Sequence, residues 1–158
     1  MVDDAGTRYA WPPVTTELRR RGVPVARFMP NRFVLRLLTL NMRNHRKILV
    51  ADGREGFTGG MNIRQGNMLR EDPPYPVRDL HFRVRGPAVA QMQRMFAEDW
   101  LFYTGEVLSG PRWYPELQPV GDVCAIGIPD GPDEDMGVIA TAMASALAAA
   151  NEEVRIVT

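Results

Sequence analysis

Three residue types that carry chemistry are scarce here: one cysteine, two histidines and one lysine in 158 residues. A lone cysteine excludes an internal disulfide framework and suits a reducing compartment. Cys124 lies in the apolar run from Val123 to Ile128, so it reads as a buried structural thiol. No stretch reaches the roughly 18 apolar residues needed to cross a bilayer, and the first residues lack a secretory-signal pattern. The formal net charge is zero, which removes any global field favouring nucleic acid or anionic lipid and leaves only local attraction. With 45% apolar and 24% charged residues, the composition is that of a globular domain able to bury a core.

The scarcity of lysine is the most telling, because arginine is abundant. Eighteen cationic side chains are arginine and only Lys47 is not. A compact ammonium and a wide planar guanidinium are not interchangeable where space is tight. The neighbours sharpen the point: Asn44-His45-Arg46-Lys47 is followed by Ile48 to Ala51, then Asp52, then Gly59-Gly60-Met61-Asn62.

Periodicity and punctuation predict an alternating order of elements. A helix over 15–21 closes at Gly22, and a strand over 23–29 stops at Pro30. The arginine-studded apolar stretch 31–42 fits a packed helix with solvated arginines better than an interfacial patch reaching lipid headgroups. Strands over 47–51 and 55–58 flank an Asp52-Gly53 turn. A proline-rich loop over 67–77 leads to a strand over 78–85. Gly86-Pro87 opens a helix to about Phe102, with Val89, Met92, Met95 and Phe96 on its core face. After an aromatic loop come a strand over 122–128, an alanine-rich helix over 133–150 and a strand over 153–158. The fold class is therefore α/β, a mixed β-sheet flanked by helices. The chain opens in a turn and stops inside an apolar strand, so both ends read as cut from something longer.

Residues two apart on a strand share a face, so His45 and Lys47 project together, with Arg46 turned away, if the strand begins by residue 45. An imidazole is a nucleophile, and an ammonium offers charge to a phosphate oxygen. The hairpin brings Gly59-Gly60 and Asn62 back beside them. Bare glycine backbone lets a ligand approach closely, and the Asn62 amide can donate to an oxyanion. Together these make a phosphodiester site that needs neither metal nor organic cofactor.

The pattern His45-x-Lys47-x4-Asp52-x6-Gly59-Gly60-x-Asn62 resembles the signature of the phospholipase D superfamily. The flanks Arg43 to Leu49 and Phe57 to Ile63 are similar to its bacterial cardiolipin synthase branch. So is the stretch from Arg78 to Val89, ending in Phe96 and Asp99-Trp100. The resemblance implies a partial phospholipase D-like fold. Residues 1–118 would be the back of one half, carrying the motif, and 119–158 a linker with the start of the next half. It also implies transfer of a phosphatidyl group through a phosphohistidine on His45, with Lys47, Asn62, Gly59 and Gly60 around the phosphate. Asp52 would shape the turn, and Asp79 would orient the histidine as the acid of a hydrolase triad does. Pairing with Arg78 or Arg83 is the plainer role for Asp79. His81 shares a face with Asp79, yet the resemblance places the general acid on a second motif. This chain holds one motif, so the remainder of a parent chain or a second copy would supply the other histidine.

The implied partners are a phospholipid substrate and a peripheral contact with the bacterial inner membrane from the cytoplasm, with nucleic acid not expected. Two rival readings remain: a nuclease-type phosphodiesterase completing its site by homodimerisation, and a catalytically silent fragment.

Overall fold

In a computed structural model of the chain, residues 1–3, 11–28, 44–129 and 137–155 are described. They divide into two compact units, Met1–Ile126 and Gly127–Thr158.

The first unit is organised by one tight turn. Asp52 and Gly53 take φ of +53° and +64°, and with Arg54 they form the three-residue loop between the paired Ala51 and Glu55. The turn joins β3 (Ile48–Ala51) to β4 (Glu55–Gly59) in antiparallel register, Ile48 opposite Thr58 and Ala51 opposite Glu55. On its other edge β4 pairs antiparallel with β5 (His81–Arg85), Gly59 opposite His81. A separate parallel pair joins β1 (Val2–Asp3) to β2 (Arg27–Phe28). Parallel and antiparallel sheets with helices are thus both present, as an α/β class requires.

Helix α2 (Ala88–Thr104) covers one face of the β3–β4–β5 sheet. Its Val89 is fully buried and Met92 nearly so. A methyl on Gly56 would stand 2.5 Å from the Met92 sulfur, so the helix seats a thioether where the sheet has no side chain. Met95 and Phe96 are half-buried beside them. Further along, Trp100 joins Ala26 and Leu108 in a second cluster, with Phe96, Tyr103 and Trp113 packed against it. Trp100 and Tyr103 on the helix and Trp113 in the loop beyond it are therefore packing groups. Trp100 also donates from Nε1 to Glu106 at 2.8 Å, and Tyr103 meets the ring of Phe28 at 5.0 Å.

Helix α1 (Val14–Arg20) ends as Gly22 predicts. Gly22 has φ +72°, its N–H bonds Arg19, and the Val23 N–H reaches back to Leu18 at 3.0 Å, a Schellman closure. That closure corrects the expected strand over 23–29. The Val23 amide is already used and Pro24 has none, so pairing begins only at Arg27. Residues 29–43, including the arginine-studded stretch, lie outside the described residues.

Two more expectations change. The strand expected from Arg78 starts at His81, because the Leu80 N–H is taken by the Asp79 carboxylate at 2.7 Å. The run 122–128 is no strand. Val123 (84% exposed), Ile126 (75%) and Cys124 face solvent, so the thiol is not buried.

In the second unit α3 spans Val138–Ala149, shorter than expected; residues 130–136 lie outside the described residues. Residues 153–155 form no strand, and 156–158 are likewise outside.

Candidate active site

The ladder of β3 begins at Ile48, and before it Asn44, Arg46 and Lys47 make hydrogen bonds through their side chains. The Asn44 carboxamide oxygen accepts the Arg46 N–H at 3.0 Å, a local turn that bridges His45. Asn44 Nδ2 then donates to Asp99 Oδ2 on α2 at 2.9 Å, and Arg46 Nη1 meets the same oxygen at 3.2 Å. Asn44 and Arg46 thus reach toward the helix, while His45 between them is exposed.

Lys47 is half-buried, and its ammonium donates to the His45 carbonyl at 2.8 Å. Burial pulls this ammonium below the usual lysine value, against the opposing attraction of the Asp79 and Asp3 carboxylates. The lysine therefore sits in an acidic neighbourhood that partly compensates its lost water.

Gly59 and Gly60 earn their identity here. Gly59 has φ +152°, and a methyl on it would stand 2.8 Å from the His81 Cα. At Gly60 a methyl would stand 2.7 Å from Asp79 Oδ2 and 2.8 Å from its Cγ. The bare backbone admits β5 and the Asp79 carboxylate, a use of the glycine pair that spacing alone did not reveal. Asp79 is otherwise exposed, and Arg83 pairs with Glu55 instead. His81 lies directly opposite Gly59, with Nδ1 buried and unpartnered.

One end of the sheet thus gathers Lys47, Asp79, Gly59 and Gly60, with His45 two residues from the lysine. Asn62 is exposed just beyond β4. Asp52 is not brought to this end; it forms the hairpin turn at the other. The groups that sequence reasoning missed are Asn44 and Asp99. Their signal was an Asn-x-Arg alternation interleaved with His-x-Lys, but the acid that answers it lies 53 residues beyond Arg46.

Relatives carry the same stretch. The chain is 36% identical over 137 residues to cardiolipin synthase A of Pseudomonas fluorescens (strain SBW25), 87% of this chain and 28% of that protein. It is 40% identical over 106 residues to cardiolipin synthase 2 of Bacillus cereus, 67% of this chain and 21% of that one. For the cardiolipin synthase of Geobacillus thermodenitrificans the figures are 38% over 125 residues, 78% and 25%. The chain is a cardiolipin synthase-like member of the phospholipase D superfamily. It spans less than a third of the length of these superfamily relatives. No family model matches it, and no solved structure does. Among the described residues no helix is long and apolar enough to cross a membrane.

Proposed function

We propose that this stretch supplies the nucleophilic half of a phosphatidyltransferase acting on phospholipid phosphodiesters. One imidazole nitrogen of His45 attacks phosphorus, and the bond from phosphorus to the leaving glycerol-type oxygen breaks. That oxygen takes a proton from a general acid on a second motif, in the rest of a longer chain or in a second copy. An acceptor alcohol of another lipid then gives up its proton to the same group and attacks the phosphohistidine, which frees the imidazole.

Lys47 and the Asn62 amide hold the phosphate oxygens above Gly59-Gly60, and Asp79 orients and stabilises the imidazolium. Asp52 serves as turn-former. Residues 1–118 belong to the first half of the site and 119–158 to the approach to the next, and the protein meets the inner membrane peripherally.

The observation that carries the reading is the placement of Lys47 and Asp79 beside the glycine pair, in a stretch 36–40% identical to cardiolipin synthases. The test uses vesicles of phosphatidylglycerol labelled in the phosphate, with a protein that carries both motifs. A labelled adduct on His45, lost together with turnover in His45→Ala, is expected. Turnover without that adduct overturns the mechanism. Salt-dependent cleavage of single-stranded DNA in place of lipid transfer would favour the nuclease reading.

A further inference from the structure

We infer that Asp99 is a positioning residue for the nucleophile: through Asn44 and Arg46 it fixes where His45 stands. The inference rests on the function proposed above only for the role of His45.

The argument starts from what holds residues 44–47. They precede the first ladder pair of β3, Ile48 with Thr58. A single carboxylate oxygen does much of that work, taking the Asn44 amide at 2.9 Å and the Arg46 guanidinium at 3.2 Å. The Arg46 and Asp99 side chains are only 27% and 20% exposed. A charge-assisted bond at that depth is far less screened than a surface pair. Asn44 also accepts the Arg46 backbone N–H at 3.0 Å. The result is a closed triangle of residues 44, 46 and 99, with His45 on the side between Asn44 and Arg46.

The third corner is stiff. Asp99 belongs to the helix whose Val89 is fully buried and whose Met92 fills the gap over Gly56. The helix thus transmits a fixed position to a segment that has no ladder of its own. A displacement of about 1 Å at a reacting group costs about 100-fold in rate, so a support of this kind acts on turnover more than on binding.

The test has two arms. In the active protein used above, Asp99→Ala is expected to lower kcat about 10- to 100-fold with KM changed less than about 3-fold. Asn44→Ala should have a similar effect that does not add to the first, because both open one triangle. Asp99→Asn, which keeps the shape and one acceptor, should fall between. If His45→Ala abolishes turnover while Asp99→Ala and Asp99→Asn leave kcat unchanged, the inference fails and the function stands.

The second arm needs no turnover. In the 158-residue chain, exchange of the Arg46 backbone amide with deuterium should quicken at least about 10-fold in Asp99→Ala and in Asp99→Asn relative to the parent chain. Unchanged exchange in the folded Asp99→Asn variant overturns the inference whether or not the protein transfers lipid. If His45→Ala retains turnover, the proposed function fails while the exchange arm still decides the triangle.

Discussion

The two ends of the β3–β4–β5 sheet are built by opposite means. At the hairpin end, backbone conformation does everything: two residues at positive φ, an Arg54 N–H returning to the Ala51 carbonyl at 2.9 Å, and a loop laid across the turn. A methyl on Gly53 would meet Pro115 Cδ at 2.5 Å and the Trp113 carbonyl at 2.8 Å, so that end is sealed. At the other end the ladders stop, and side chains take over. Asp79 caps Leu80 and lies over Gly60, Lys47 folds back on His45, and Asn44 and Arg46 reach across to Asp99. Register is set at one end, and the groups proposed to react sit where register has ended. Changes at the sealed end should therefore cost stability, and changes at the open end should cost turnover.

The sharpest way to break this contrast is Lys47→Arg. Charge is retained, yet a wide planar fork replaces the compact ammonium that donates to the His45 carbonyl, and kcat should fall about 100- to 1000-fold at nearly constant melting temperature. Near-normal rates would mean that charge alone suffices. Next is Gly60→Ala. Its methyl must displace the Asp79 carboxylate, so turnover should fall about 100-fold while urea unfolding is little changed. A large loss of stability instead would erase the distinction between the ends.

Gly53→Ala probes the opposite end. Positive φ and the contact with Pro115 should cost about 1–3 kcal/mol of folding free energy, read from the urea midpoint, with kcat per folded molecule unchanged. The smallest effect belongs to Glu55→Gln. It breaks the pair with Arg83 on the sheet face away from α2, and both partners are substantially exposed, so the cost should stay below about 1 kcal/mol.

Local rules made much of this legible. The Asp52-Gly53 turn, the Gly22 stop and the Gly86-Pro87 helix start each depend on the conformational limits of one or two residues, and each appears where the sequence places it. What failed depended on partners. The 122–128 run has the apolar composition of a strand, but composition does not supply the paired edge that a strand needs, and its Val123 and Ile126 stay exposed. The run over 23–29 lost its first half to a helix closure that competes for the same amide. In the site, the motif named the candidate groups, whereas the reason for Gly60 and the side chains behind His45 required knowing what crosses from β5 and α2. No spacing rule carries that.

Met92 and Asp99 are seven residues apart, two turns of one helix, about 10 Å along its axis. The sulfur lodged against Gly56 therefore acts as a key that stops α2 from sliding, and the carboxylate downstream inherits that fixed station. Adding a single methyl in the middle of β4 would shove the key and, with it, move the segment that carries His45.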